Sequence, residues 1–209
     1  MSSGSSGVSI RRHRRPVVLL LTNIAKRCNI HNILRTCLLY DIRCVVYGMH
    51  KQIEALKTLY ERLVPPSTTP STTPSFNPQD AGISPLTFLN CDPSGNMTPR
   101  SVKIRLEDVK RLISDNVGLP AVLVGVEIPP DFRTATTVDN IDPPPESWGE
   151  DKALVMMLGN EGSGMTEKQL SCCDEFLYVN QFSADTASFN VAVAWAIVAE
   201  RVWTAVKST

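Results

Sequence analysis

The sequence predicts an α/β protein with a mostly parallel sheet flanked by helices. Three observations carry this. Val17 to Leu21, Ala121 to Val126 and Ala153 to Leu158 are apolar runs without alternation, the pattern of strands buried on both faces. Between such runs, apolar residues recur at helical spacing, so strands and helices alternate and right-handed crossovers must join parallel neighbours. The run from Ala153 to Leu158 ends in a loop carrying Gly159, Gly162 and Gly164, at the strand edge where open α/β sheets place ligands.

Taken in order, Val17 to Leu21 is a central strand opened by Pro16, with its carboxyl-edge loop at Thr22 to Cys28. Asn29 to Tyr40 is a helix with Ile30, Ile33, Leu34, Cys37 and Leu38 on its buried stripe and Arg35 off it. A strand at Arg43 to Tyr47 stops at Gly48, and His50 to Leu63 is the next helix. Ser-Thr-Thr-Pro then repeats at 67–70 and 71–74, too polar to bury and too proline-rich for a helix, so 65–84 is an insertion in a surface loop. A short strand is expected at Leu86 to Leu89. Leu106 to Asn116 is a helix with Val109, Leu112 and Ile113 on one face, ended by Gly118 and Pro120. After the strand at Ala121 to Val126, residues 132–150 read as a variable stretch. Beyond the glycine loop come a helix at Thr166 to Cys172, a strand at Phe176 to Val179 and a polar loop at 180–187. A last, mostly apolar helix spans Val191 to Val206, with Ser188 as its expected N-cap. Asn190 then lies in the first turn and should face something that needs both a donor and an acceptor.

Composition narrows the class. The 209 residues are 43% hydrophobic, enough for one core, expected as a single domain over 17–209 behind a tail at 1–16. The tail begins as a flexible linker, Met1 to Gly7, and continues as Arg11, Arg12, His13, Arg14 and Arg15, a solvated charge run or an RNA-contacting or targeting arm. A net charge of zero argues against nucleic-acid binding over the whole surface and leaves room for such a patch. Six cysteines without a Cys-x-x-Cys pair or histidine partners read as reduced thiols with no metal, and no stretch reaches membrane-span length. An intracellular location is expected, the cytoplasm first.

The glycine loop can be tested against known phosphate sites. Gly159 to Thr166 has P-loop spacing, but Met165 stands where lysine must reach the phosphates and Glu161 brings the wrong charge. Neither a nucleophile elbow nor the dinucleotide fingerprint fits the glycine positions. The glycines are expected to let a ligand approach the backbone and to offer it unblocked N–H donors. A turn that merely closes a buried strand would leave Asn160 and Glu161 unexplained.

Three separated blocks resemble one family. Asn29-Ile30-His31-Asn32-Ile33-Leu34-Arg35-Thr36 is similar to Asn-x-Gly-(Ala/Asn)-x-x-Arg-Thr; Leu158-Gly159-Asn160-Glu161-Gly162-Ser163-Gly164 is an almost unaltered match; Ser188-Phe189-Asn190-Val191-Ala192-Val193-Ala194 is close to Ser-Leu-Asn-Val-Ser-Val-Ala. These resemble the SpoU/TrmH-like RNA ribose 2′-O-methyltransferases of the SPOUT superfamily, and Leu123 to Glu127 is similar to the strand before the second block in eukaryotic members. The resemblance implies a Rossmann-like sheet with a C-terminal deep trefoil knot and S-adenosylmethionine as cofactor, contacted near Val126, Gly159, Val179 and Phe189. It implies tRNA or rRNA as substrate, tRNA slightly preferred, and a homodimer through the final helix, whose Trp195, Ile197, Val202 and Trp203 are expected to expose apolar surface. Arg35 matches the family arginine, a base or, since arginine stays protonated, a clamp on phosphate and developing oxyanion. Asn29, Glu161, Ser188 and Asn190 match the groups that orient it and the ribose. Two departures stand out: His31 replaces a glycine, implying an unusual turn or an altered site, and the loop before the third block is altered at 180–184. They favour the alternative, a catalytically silent RNA-binding member. With no further domain before Pro16, substrate choice is expected to rest on this domain, its dimer, the arginine arm or a partner.

Overall fold

The computed structural model describes residues 15–48, 86–90, 105–128, 135–181 and 188–207. Among these the chain forms β1 (Val17–Thr22), α1 (Arg27–Leu39), β2 (Arg43–Gly48), β3 (Leu86–Asn90), α2 (Leu106–Val117), β4 (Ala121–Val126), β5 (Ala135–Thr137), β6 (Ala153–Leu158), α3 (Glu167–Cys172), β7 (Glu175–Tyr178) and α4 (Val191–Lys207). The strands make one sheet in the order β3-β2-β1-β6-β4-β7-β5, every pairing parallel. The expected α/β class with a mostly parallel sheet is therefore what forms. The helix expected at 50–63 and the insertion at 65–84 lie outside the described residues, and the expected knot is not visible among those described.

Unbroken apolar strands dictate a sheet covered on both sides. All six residues of β1 and all six of β6 are buried, and the two strands are neighbours with Leu19 opposite Met156. Leu19, Leu21, Leu154 and Met156 face Ile33 and Leu34 of α1 and Trp195 and Val198 of α4. On the other side Val18, Leu20, Val155 and Met157 meet Val109 and Ile113 of α2. Each such side chain stabilises the fold by about 1.5–3 kcal/mol relative to exposure, which fixes the central strands and hence the loops at their carboxyl ends.

Helix ends explain most of the differences from expectation. α1 begins at Arg27, two residues early, so Asn29 lies within its first turn. Its N-cap, Lys26, makes no side-chain cap, since an ammonium has no acceptor to offer the first-turn N–H groups. His31 sits half-buried in regular helix, and Asn23 and Asp41 are the only non-glycine residues with positive φ among those described, so no unusual turn forms there. Leu38, expected on the buried stripe, is exposed near the end of α1. In α2 Leu106 joins Val109 and Ile113 in the core while Leu112 is half-buried. α3 carries a capping box between Thr166 and Gln169. The described residues 135–150 contain β5 and two 3₁₀ turns, and buried Trp148 donates from Nε1 to Glu175 Oε2 at 2.9 Å.

α4 corrects a further expectation. Trp195 and Val202 are 0% and 1% exposed, Ile197 packs partly buried against the core, and the half-buried Trp203 ring meets Tyr40 edge-on at 5.5 Å between centroids. The helix uses its apolar residues within this fold, against α1 and the sheet, rather than displaying them. Its large exposed apolar side chain is Val193, next to Phe189 in the segment before it.

Candidate active site at the carboxyl edge of β1 and β6

Chain order reverses between β1 and β6, since β2 and β3 lie beyond β1 and the later strands mostly beyond β6. Such a switch point opens a crevice between the loops that leave the two strands. Here the loops are 23–26, entering α1, and 159–166, entering α3.

Glu161 joins them. Its Oε1 accepts from Lys26 N at 2.8 Å and Asn29 Nδ2 at 3.3 Å; its Oε2 accepts from Ala25 N at 3.2 Å and Asn160 Nδ2 at 3.4 Å. The carboxylate thus supplies the long-range cap that α1 lacks locally, at the helix end where negative charge is favoured. Burial pushes its pKa up, but the Lys26 and Ala25 N–H groups, its own backbone and Asn29 together hold it below the usual carboxylate range.

From Asn29 the chain of contacts continues. Asn29 is buried, and its Oδ1 accepts from Asn190 Nδ2 at 3.0 Å. Asn190 Oδ1 in turn accepts from Ala192 N at 2.9 Å, which makes Asn190, not Ser188, the N-cap of α4. The expectation that Asn190 faces a group needing both donor and acceptor is met by two partners, Asn29 and the helix's own backbone. Glu161, Asn29 and Asn190, one from each sequence block, are therefore bonded in series.

The loop's own donors are not free. Asn160 Oδ1 accepts from Gly162 N at 2.9 Å and Ser163 N at 3.2 Å, Asn160 O accepts from Gly164 N at 3.0 Å, and Glu127 Oε2 accepts from Met165 N at 3.0 Å. This overturns the expectation of unblocked N–H groups and removes the physical basis of a phosphate cradle. Gly159 is required for close packing: a Cβ there would lie 2.6 Å from Gly164 C and Met165 N. Beneath the loop, Gln169 Nε2 donates to Thr22 Oγ1, which donates to Leu158 O at 2.8 Å, so the ends of β1 and β6 are tied inside the core.

Beside this network lies a cavity of about 430 Å³, lined by Val126, Gly159, Val179 and Phe189 together with Glu127, Glu161, Tyr178, Gln181 and Ser188. All four residues expected to contact a cofactor are on its wall. Arg35 is not; it is exposed on α1 with no hydrogen bond or ion pair among the described residues. Arg15, expected in the RNA arm, is half-buried and donates to Gly149 O instead, while Arg11, Arg12 and Arg14 lie outside the described residues. Sequence reasoning missed Glu127, Tyr178 and Gln181. Their signal is the register of the sheet, which sets Val126 opposite Leu177 and so brings the ends of β4 and β7 to one wall.

The profile of the SpoU rRNA Methylase family matches residues 122–200, a span holding β4, β6, β7, the glycine loop and the start of α4. Over that span the chain is similar to SpoU methylases. Its fold matches the SpoU methyltransferase AviRb from Streptomyces viridochromogenes at 15% identity over 92% of this chain and 60% of that one, TM-score 0.56. A TrmH-family RNA methyltransferase from Porphyromonas gingivalis, described as putative, matches at 17% over 90% and 59%, TM-score 0.52. The A. aeolicus TrmH/SpoU tRNA modifying enzyme matches at 14% over 94% and 78%, TM-score 0.52. At these identities the likeness is one of fold, and the SpoU-like chain spans about three fifths of the length of the first two. Comparison with curated proteins finds no match. Among the described residues of the SpoU-like chain no helix is long and apolar enough to cross a membrane, and no group of His, Cys, Asp and Glu side chains could hold a metal ion.

Proposed function

We propose that the chain is an intracellular S-adenosylmethionine-dependent RNA methyltransferase acting on a ribose 2′-hydroxyl of tRNA or rRNA, with tRNA the first substrate to test. The observation that carries this reading is the series Glu161, Asn29, Asn190 running alongside the cavity that holds Val126, Gly159, Val179 and Phe189.

The cavity wall fits such a cofactor. It offers the rings of Tyr178 and Phe189 for a purine, and two carboxylates with no Lys, Arg or His among the described lining residues, an environment suited to a sulfonium and hostile to phosphates. When bound, S-adenosylmethionine supplies an electrophilic methyl group. The protein must then hold the ribose oxygen in line with the methyl–sulfur bond that breaks, and stabilise the charge that grows on that oxygen as its proton passes to solvent. Glu161 is a poor base, since four donors occupy its lone pairs and hold it ionised. Its role is to orient Asn29, which orients Asn190. The forked guanidinium of Arg35 serves as the clamp on substrate phosphate and oxyanion. A homodimer belongs to the proposal, with Val193, exposed on α4, as an apolar contact in place of Trp195 and Val202.

Titration calorimetry with S-adenosylmethionine, followed by methyl transfer to unmodified tRNA and rRNA, tests the reading. Heat on binding and transfer that disappears when the acceptor ribose is replaced by deoxyribose are the expected results. The position of Arg35 outside the cavity wall favours a second reading, a silent RNA-binding protein; RNA binding without cofactor binding would establish it.

A further inference from the structure

We propose that Glu127 selects for positive charge in the cavity, so that the chain holds the cationic methyl donor more tightly than the neutral thioether left after transfer. The inference rests on the cofactor reading above and concerns which member of that ligand pair the site prefers.

Two carboxylates line the cavity, and they differ in what they have left to offer. Glu161 accepts two hydrogen bonds on each oxygen and serves the start of α1. Among the described residues Glu127, at the carboxyl end of β4, accepts one on each: Met165 N to Oε2 at 3.0 Å and Ile128 N to Oε1 at 3.1 Å. A carboxylate has about four lone-pair sites, so Glu127 keeps capacity toward the cavity that Glu161 has spent. Its place is also fixed. A Cβ on Gly164, held at φ +66°, would lie 2.5 Å from Glu127 Oε2, so the glycine loop closes directly over the carboxylate. Glu127 is half-buried, which reduces solvent screening, and no cation among the described lining residues offsets it.

These facts also fit a purely structural role, in which Glu127 only pins the turn at Gly164 and Met165. Charge selectivity separates the two. Glu127→Gln keeps a side-chain oxygen for Met165 N and removes the charge; Glu127→Asp keeps the charge on a shorter arm. Calorimetry on the full chain compares three ligands: S-adenosylmethionine, its analogue sinefungin, which carries a protonated amine in place of the sulfonium, and neutral S-adenosylhomocysteine. In the parent both cations should bind more tightly than the neutral ligand. Glu127→Gln should weaken both cations on the order of tenfold and leave the neutral ligand within about twofold, while Glu127→Asp retains the cation preference. Equal weakening of all three ligands in Glu127→Gln would reduce Glu127 to a structural latch and overturn the proposal. A parent that binds the neutral ligand as tightly as both cations would do the same. A parent that binds none of the three overturns the cofactor reading itself and this proposal with it.

Discussion

Glu161 and Asn29 lie 132 residues apart in the chain, yet the carboxylate of one accepts from the amide of the other at 3.3 Å. A carboxylate can only accept, so it dictates which way the Asn29 amide points and turns Asn29 Oδ1 toward Asn190. One ionised group therefore sets the orientation of two amides.

Acid should expose this dependence. The Glu161 pKa is depressed in the fold, so its contribution is complete above the unfolded value of about 4.3 and is lost as pH falls through the lower folded value. Glu161→Gln should melt below the parent at pH 7, and the gap in Tm should close as both proteins are taken into the acid range. Thermal melts from pH 7 to pH 3 make the comparison; a gap independent of pH would show that the charge is immaterial.

Asn190 separates capping from orientation. Asn190→Ala removes the cap of α4 and should cost about 0.5–2 kcal/mol in denaturant unfolding. Asn190→Asp keeps an oxygen for Ala192 N but opposes Asn29 Oδ1 with an acceptor, so stability should stay nearer the parent while methyl transfer falls. Equal activity in the Asp variant would mean that the contact between the two amides is not used.

Gly159 tolerates no side chain. Gly159→Ala places a methyl group 2.6 Å from the backbone of Gly164 and Met165, which cannot retreat without opening the turn. Overpacking of this kind typically costs about 1–3 kcal/mol, and cofactor affinity should fall with it. An unchanged melting temperature and affinity would show that the loop is looser than its contacts imply.

Arg35 should behave in the opposite way. Exposed and unpartnered among the described residues, it should change stability by less than about 0.5 kcal/mol on replacement by alanine. As the substrate clamp, its loss should slow methyl transfer on the order of a hundredfold with cofactor binding retained. Arg35→Lys should recover little of that rate if the forked geometry is what matters. Transfer at the parental rate in Arg35→Ala would remove Arg35 from the site.

What the sequence made legible follows from how far its signals reach. β1, β4 and β6 could be read directly, because burial on both faces demands continuous apolar runs that few other elements show. The start of α1 was misplaced because its cap, Glu161, is 135 residues from Lys26 and leaves no local mark. Ser188 was preferred to Asn190 as a cap on local grounds, whereas the amide that bonds both Asn29 and Ala192 N is visible only in space. β5 escaped notice, being three residues long and paired only to β7. For the site, the resemblance brought Asn29, Glu161 and Asn190 onto one page, but Glu127 and Tyr178 needed the strand register, and the spent donors of the glycine loop needed coordinates.

The pairing of β1 with β6 also fixes when this protein can finish folding. During synthesis β1 and α1 leave the ribosome early, but the strand that flanks β1 and the carboxylate that caps α1 follow about 135 residues later. At ordinary elongation rates the interval is roughly 7–27 s, during which one edge of β1 has no neighbour. Contacts of such long range also slow folding after release, because the loop must close before the pairing rewards it. Premature truncation anywhere before Glu161 should therefore yield a chain that sticks to chaperones or aggregates rather than a smaller folded unit.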